Sequence, residues 1–270
     1  MKLALAQIEV RTADRDGNLD RALSAVADAA ERDADLVALP ELWNVGYFAF
    51  EAYERGAEPL GGPTLTRLAD AAREHDIAVL AGTIVEDLAE SAAAGEDVPD
   101  DGGLANTAVL YDSDGTRRAV YRKHHLFGYE SAETRLLTPG ESLPVVDLLG
   151  FRVAVTTCYD LRFPEQFRAL ADEGADLVLV PSAWPYPRVE HWRTLPRARA
   201  IENLAYVATV NGSGSFEDAD LLGRSTVYDP WGTTLASTGD ESALVTADVE
   251  PERVERVREE FPALRDRRDY

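Results

Sequence analysis

The fold is decided by a stretch in the second half of the chain, residues 153–165, which reads VAVTTCYDLRFPE. The apolar first half of this stretch, together with the two residues before it, predicts a buried strand over residues 151–157. Pro164 begins a helical pattern that continues to residue 173, and proline is common in the first turn of a helix. The apolar run at residues 176–180 predicts the next strand. A strand, a helix and a strand in this order indicate a layered α/β fold.

The same alternation continues in both directions along the chain. Further strands are predicted at residues 3–10, 35–40, 77–82, 206–211 and 243–249, and further helices at residues 18–33, 64–75, 190–204 and from residue 251 onwards. Antiparallel pairs are predicted at residues 106–111 with 118–121, at 145–147 with 151–157, and around the turn at 230–232. Residues 89–103, rich in Ala, Gly, Asp and Glu, are predicted to be a solvated surface loop, with a functional lid as the alternative. No repeat or linker divides the chain, so we expect one domain over residues 1–270.

The charge balance excludes one class of function. The 270 residues contain 49 Asp and Glu against 27 Lys and Arg, which gives a formal net charge of −22. Such a surface repels phosphates, so we expect no nucleic-acid partner. Only two of the basic residues, Lys2 and Lys123, are lysines. High salt would screen the repulsion between the many acidic groups. Together with the scarcity of lysine, this favours a halophilic protein; the alternative is an ordinary acidic cytosolic protein.

The cysteine content and the apolar runs bear on the compartment. The single cysteine, Cys158, excludes an intramolecular disulfide and a two-cysteine redox motif. The apolar start of the chain, residues 1–8, is too short for a signal peptide or a membrane span, and no other stretch reaches membrane length. We therefore expect a cytoplasmic protein without a membrane partner.

Four residues able to do chemistry lie near the ends of predicted strands: Glu41, Lys123, Glu133 and Cys158. A thiol becomes a nucleophile at neutral pH when a base or a positive charge is nearby. A carboxylate can take the thiol proton and return it to a leaving amine, and an ammonium group can stabilise an oxyanion. Each residue also has an ordinary interpretation, as a small buried hydrophobe for the cysteine, loop carboxylates for the glutamates and a surface charge for the lysine. The residues alone indicate a thiol hydrolase or transferase and leave these alternatives open.

Three segments, in this order, resemble the signature segments of the nitrilase, or carbon-nitrogen hydrolase, superfamily. They are PEL at residues 40–42, RKHHLF at residues 122–127 and CYDLRFPE at residues 158–165. The similarity continues through residues 181–185, 191–192, 197–203 and 228–232. The resemblance implies a four-layer α-β-β-α sandwich that assembles through its outer helices into a homodimer or a higher homo-oligomer.

The resemblance also implies a role for each candidate residue. Cys158 would be the nucleophile, Glu41 the general base and Lys123 the residue that stabilises the oxyanion. Glu133 would be a second glutamate that positions substrate, and the backbone N–H of Tyr159 would be a further oxyanion donor.

No metal or organic cofactor is implied by the resemblance. His124, His125 and His191 are the residues on which a metal site could be built. We expect none, because adjacent histidines point apart on a strand and no partner has ligand spacing.

The residues after Cys158 look like those of the omega-amidase group, which hydrolyses the terminal amide of short 2-oxo dicarboxylic monoamides such as 2-oxoglutaramate. We therefore expect a small-molecule amide as substrate. An anionic substrate needs a positive contact, and the candidates are Arg162, near the nucleophile loop, and Arg188, near the Trp184 loop; Arg162 is alternatively a structural loop arginine. Trp184 is also expected to bind the substrate. Rival functions are an N-carbamoyl amino acid hydrolase, a nitrilase and an amidase acting on a deaminated thiol peptide. A remoter alternative is a non-catalytic binding protein on this fold.

Overall fold

Two six-stranded sheets form the centre of the protein in the computed structural model, which describes residues 1–129, 131–217 and 219–268. The strands are β1 (Lys2–Gln7), β2 (Leu36–Ala38), β3 (Ala78–Asp87), β4 (Leu104–Tyr111), β5 (Arg117–Arg122), β6 (Val145–Leu148), β7 (Phe151–Val155), β8 (Leu177–Ser182), β9 (Tyr206–Asn211), β10 (Ser213–Ser215), β11 (Asp220–Leu222), β12 (Thr226–Tyr228), β13 (Thr234–Ser237) and β14 (Ala243–Asp248). The α-helices are α1 (Arg15–Ala30), α2 (Tyr53–Gly56), α3 (Pro63–His75), α4 (Leu88–Ala93), α5 (Glu133–Leu136), α6 (Pro164–Asp172), α7 (Val189–Asn203) and α8 (Pro251–Glu260). Within the described ranges, no helix has both the length and the apolar character that crossing a membrane requires.

The two sheets are built on the same plan. The first has the strand order β14-β1-β2-β3-β4-β5 and the second the order β13-β12-β9-β8-β7-β6. In each sheet three neighbouring strands run parallel, β1 to β3 in the first and β7 to β9 in the second. Helices lie between these strands in the chain, as parallel pairing requires. The remaining strands pair antiparallel at the two sides of each sheet.

The sheets face each other across a shared apolar core. Leu5 and Leu80 of the first sheet belong to one buried cluster with Val155 and Leu179 of the second. Helices α1 and α3 cover the outer face of the first sheet, and α6 and α7 cover that of the second. Burial of each large apolar side chain contributes about 1.5–3 kcal/mol to folding. The order helix, sheet, sheet, helix confirms the predicted four-layer sandwich.

Each predicted strand and helix has a counterpart, and the differences have local causes. Strand β3 continues to Asp87 instead of ending at residue 82, because it pairs antiparallel with β4 up to that residue. The prediction that residues 89–103 form a loop was wrong at its beginning. The Asp87 carboxylate accepts the Glu90 N–H and starts helix α4, in which Leu88 and Ser91 are buried. The short hairpin β10–β11 was not predicted.

Candidate active site

Glu41 lies on the turn after β2 and follows Pro40 in the chain. Proline has no N–H with which to continue a ladder, and the chain turns away with Leu42 at φ +44°. The neighbouring strand β3 makes room for this turn at Gly82, which has φ +64° and where a Cβ atom would lie 2.0 Å from the Pro40 carbonyl oxygen. Glycine is required there because the absence of a side chain lets the two backbones approach.

The Glu41 carboxylate is buried and accepts a hydrogen bond from each of three groups. Oε1 accepts from Lys123 Nζ at 2.9 Å and from Asn106 Nδ2 at 2.8 Å. Oε2 accepts the backbone N–H of Ala183 at 2.8 Å. These donors come from both sheets, since Asn106 is on β4 and Ala183 follows β8. The orientation of the carboxylate is therefore fixed by the packing of the sheets.

Lys123 follows β5 and reaches a second buried carboxylate. Its Nζ lies 2.8 Å and 3.0 Å from the two carboxylate oxygens of Glu133, the first residue of α5. Oε2 of Glu133 also accepts the Phe127 N–H at 2.7 Å and the Tyr47 hydroxyl at 3.1 Å. The structure thus places one ammonium group between two carboxylates.

Cys158 begins a 3-10 turn, Cys158–Arg162, just beyond the end of β7. Its φ is +48°, in the left-handed region that a residue with a side chain rarely occupies. Such a conformation costs about 1–3 kcal/mol and persists only where the surroundings impose it. The turn is held by Arg199, whose guanidinium donates twice to the Leu161 carbonyl oxygen, at 3.0 and 2.8 Å.

The thiol and its neighbours influence each other's proton affinity. Burial raises the pKa of the Cys158 thiol well above its ordinary value; the charge of Glu41 raises this pKa further, and that of Lys123 lowers it. Burial also raises the pKa of Glu41, against the opposing effect of Lys123. Burial alone would lower the pKa of Lys123, but the charges of Glu133 and Glu41 hold it well above the ordinary value. The resting site therefore combines a neutral thiol, a proton acceptor and a fixed cation.

A cavity of about 600 Å³ opens above Cys158. Tyr159, Arg162, Trp184 and Arg188 line it together with the cysteine, so the structure brings the predicted substrate-binding residues to one space. Much of the remaining wall is aromatic and consists of Tyr47, Phe48, Phe50, Phe127, Tyr129, Tyr186 and Phe216. Glu41, Lys123 and Glu133 are buried, with at most 1% of their surface exposed.

The Arg162 guanidinium lies over two aromatic rings at the cavity wall. Its central carbon is 5.2 Å from the ring centre of Trp184 and 5.7 Å from that of Tyr159. One nitrogen lies 3.1 Å from Nδ1 of His191. Arg188 lies 5.7 Å from the ring centre of Phe127. Stacked guanidinium groups keep in-plane N–H donors available for a carboxylate.

The histidines are placed differently from the prediction. His124 and His125 lie in the bend after β5, and their ring centres approach to 4.8 Å, so the expectation that they point apart on a strand was wrong. His191 is on α7, beside Arg162. Among the residues that the structure describes, no group of three or more His, Cys, Asp or Glu side chains is arranged to hold a metal ion.

Two contributors to the site were missed from the sequence. Asn106 donates to both Glu41 and Glu133, at 2.8 and 3.2 Å, and the Tyr47 hydroxyl donates to Glu133. An amide within an apolar strand needs a hydrogen-bond partner when it is buried, and this could have identified Asn106. Tyr47 has no such signal, because its loop contains several aromatic residues.

Comparison with known proteins gives a consistent picture. The family profile described as Carbon-nitrogen hydrolase matches residues 2–259. A 2-oxoglutaramate amidase of Paenarthrobacter nicotinovorans is 37% identical over 239 residues, which cover 87% of this chain and 79% of the relative. The human omega-amidase NIT2 is 34% identical over 275 residues, which cover 99% of this chain and 95% of the relative.

Solved structures are similar over nearly the whole length. The NitN amidase of a Nesterenkonia species superposes with a TM-score of 0.83 at 33% identity, covering 99% of this chain and 96% of the other. Saccharomyces cerevisiae Nit3, a member of branch 10 of the nitrilase superfamily, gives a TM-score of 0.85 at 30% identity, with 97% and 94% covered. A glutamate-to-glutamine mutant of the Nesterenkonia amidase, with a TM-score of 0.83 at 32% identity over 99% and 94% of the two chains, carries the acetamide moiety of fluoroacetamide on its active-site cysteine.

Proposed function

The chain belongs to the carbon-nitrogen hydrolase family, and we propose that it is an amidase that hydrolyses the terminal amide of a short 2-oxo dicarboxylic monoamide, such as 2-oxoglutaramate, to the acid and ammonia. One observation carries the proposal. The Cys158 thiol lies at a cavity that also presents the Arg162 guanidinium, with the Glu41–Lys123 pair buried next to the thiol. A nucleophile, a base, an oxyanion donor and an anion-binding group are thus within reach of one small substrate.

In the first half-reaction, Glu41 takes the thiol proton while Cys158 Sγ bonds to the amide carbon. Lys123 Nζ and the Tyr159 N–H stabilise the negative charge that develops on the carbonyl oxygen. Glu41 then passes the proton to the amide nitrogen, the C–N bond breaks, and ammonia leaves a thioester on Cys158. The raised pKa of Glu41 suits this role, because a group that titrates nearer to neutrality can both accept and return a proton.

In the second half-reaction, Glu41 takes a proton from water as the water oxygen attacks the thioester carbon. The tetrahedral intermediate collapses to the free acid, the C–S bond breaks, and the sulfur recovers the proton from Glu41. We assign Glu133 to positioning the substrate through Lys123, an assignment supported by the two contacts of its carboxylate with Nζ at 2.8 and 3.0 Å.

Recognition of the distal substrate carboxylate is assigned to Arg162, with Arg188 as the second candidate. Support comes from the position of Arg162 at the cavity wall, where its guanidinium lies over the rings of Trp184 and Tyr159. A charged group at this position compensates locally for the repulsion that an overall charge of −22 exerts on an anionic substrate.

The direct test is release of ammonia from a substrate panel at low and at high salt. The panel contains 2-oxoglutaramate and related 2-oxo monoamides, N-carbamoyl amino acids and nitriles, and Cys158→Ala is the matched inactive variant. We expect the highest kcat/KM for a 2-oxo monoamide and an acyl adduct on Cys158 whose mass identifies the acyl group. A higher kcat/KM for an N-carbamoyl amino acid or a nitrile would show that the assigned substrate class is wrong. Absence of any turnover would overturn the proposal.

We further propose that the protein is a homodimer or a higher homo-oligomer. Support comes from an exposed apolar patch formed by Ile201 on α7, Trp231 and Phe261. Trp231 and Phe261 have ring centres 5.5 Å apart, and Ile201 packs over Gly232. Exposed apolar patches of this kind commonly mark interfaces. Light scattering at several protein concentrations, with Ile201→Asp as the disrupting variant, tests the proposal; a monomeric wild type would contradict it.

We also propose three general properties of the protein. The first is a cytoplasmic location, the second is adaptation to a high-salt environment, and the third is organisation as one domain. The free state of Cys158 and the excess of 49 acidic over 27 basic residues support the first two. The family match over residues 2–259 supports the third. Cell fractionation and the salt dependence of stability are the corresponding measurements.

A further inference from the structure

We propose that Asp160 and His125 are positioning residues that hold the Cys158 turn and the Lys123 segment in register for catalysis. The inference rests on the proposed function, in which these two segments supply the nucleophile and the oxyanion donor. Asp160 is two residues after Cys158, and His125 is two residues after Lys123. A contact between them therefore connects the two segments directly.

The Asp160 carboxylate is fully buried and accepts four hydrogen bonds. Oδ2 accepts the Thr157 N–H at 2.8 Å and the Tyr121 hydroxyl at 2.5 Å. Oδ1 accepts the His125 backbone N–H at 3.0 Å and lies 2.8 Å from His125 Nδ1. One oxygen thus holds the backbone just before the nucleophile, and the other holds the loop that follows the catalytic lysine.

The two segments come from different sheets. Lys123 follows β5 of the first sheet, and Cys158 follows β7 of the second. Without a direct connection, their separation would depend on how the two sheets pack and on contacts further from the two residues, such as that of the Tyr121 hydroxyl with Gln166. Misplacement of a reacting group by about 1 Å can lower a rate by about 100-fold. A buried carboxylate that binds both segments fixes this separation, and it also helps to impose the left-handed φ of +48° on Cys158.

His125 is oriented for this contact by its other neighbours. Its ring stacks on Phe163, with centres 3.6 Å apart and planes within 7°. The Tyr121 hydroxyl, which donates to Asp160, accepts the His124 N–H at 3.1 Å and the Gln166 side-chain amide at 2.9 Å. Because a carboxylate can only accept, the contact at 2.8 Å requires that His125 Nδ1 carries a proton and donates it to Asp160 Oδ1.

Two substitutions of His125 separate the Nδ1 contact from the rest of the ring. His125→Asn keeps an N–H donor on the branch that Nδ1 occupies, whereas His125→Gln extends the donor towards the Nε2 position, and both lose the stack on Phe163. We expect His125→Gln to lower kcat by about 100-fold with KM changed by less than about threefold. We expect His125→Asn to stay within about fivefold of wild-type kcat. His124→Ala, in the same bend, is the matched control and should retain near wild-type kcat.

The values of kcat are normalised to the fraction of Cys158 that iodoacetamide titrates, and melting temperatures are measured in parallel. Equal losses in the Asn and Gln variants would assign the effect to the stack on Phe163 and overturn the proposal. Unchanged kcat in both variants would also overturn it. A wild type that releases no ammonia from any amide would instead contradict the proposed function, so the two failures are distinguishable.

Discussion

The Nζ atom of Lys123 lies 2.9 Å from Oε1 of Glu41, and neither side chain is exposed to solvent. Burial of a single unpaired charge costs several kcal/mol, so each group is kept in the interior by the other. Glu133 on the far side of Nζ completes the arrangement. Substitutions at this pair therefore alter both the chemistry and the stability of the protein, and each experiment needs a control that separates the two.

Glu41→Gln keeps the size of the side chain and removes the proton acceptor. We expect kcat for ammonia release to fall about 1,000-fold, within the range by which general-base groups contribute. The control is Glu58→Gln, which alters a buried carboxylate that accepts from Thr64 away from the cavity. That variant should lower the melting temperature and retain kcat. More than a tenth of wild-type kcat in Glu41→Gln would contradict the assigned role.

Lys123→Arg keeps the charge and changes its shape. The planar guanidinium is larger than the ammonium group, and the site is fully buried, so we expect the oxyanion contact to be lost and kcat to fall at least about 100-fold. Arg122→Lys, the reciprocal exchange one residue earlier, weakens an ion pair with Glu86 and serves as the control. It should reduce stability and leave kcat within a few-fold of wild type. Comparable kcat in the two variants would contradict the prediction.

The reactivity of Cys158 should depend on pH in a direction set by its neighbours. Burial and the charge of Glu41 raise the pKa of the thiol, so alkylation by iodoacetamide, which needs the thiolate, should still be increasing with pH at about pH 9. Because the charge of Glu41 raises this pKa and that of Lys123 lowers it, the profile should move to lower pH in Glu41→Gln and to higher pH in Lys123→Met. Mass spectrometry gives the alkylation rates. A shift of both variants in the same direction would contradict the electrostatic account.

The outline of the fold was predictable because it depends on short-range periodicity. The apolar run before Cys158 and the helical pattern after Pro164 are both visible in the sequence, and they place the cysteine at the end of a strand. Contacts between residues far apart in the sequence were not predictable in this way. Asn106 meets Glu133 from 27 positions away, and the Ala183 N–H meets Glu41 from 142 positions away. A backbone donor leaves no signature in the sequence, since every residue except proline has one.

Helix α4 shows a different limit of the sequence. Its residues, LAESAA, include three alanines, and the acidic segment that follows is typical of a solvated loop, so composition alone could not decide between a helix and a loop. The Asp87 side chain, which accepts the Glu90 N–H, is the cap that begins the helix. This cap would have been a better signal than composition.

Arg162→Gln should change substrate preference more than chemistry. The substitution removes a guanidinium–carboxylate contact at a partly exposed part of the cavity wall. We expect the loss of this contact to raise KM for 2-oxoglutaramate about tenfold. The kcat/KM for a neutral amide of similar length should stay within about twofold. Arg188→Gln, at the same cavity, is the matched variant. Unchanged KM for the anionic amide in both single variants and in the double variant would assign Arg162 a structural role.

The stability of the protein should increase with salt. At a formal net charge of −22, like charges repel across the surface, and the Debye length falls from about 10 Å at 0.1 M salt to about 3 Å at 1 M. Salt also weakens exposed ion pairs such as Arg117–Glu96, but each of these contributes less than about 1 kcal/mol. Repulsion therefore dominates, and the melting temperature should rise by several degrees between about 0.1 and 1 M KCl and change less above that range.

Potassium chloride is the salt of choice because sulfate stabilises proteins by exclusion from their surface regardless of charge. Scanning calorimetry provides the measurement, and a melting temperature highest in dilute buffer would show that the acidic surface is not an adaptation to salt.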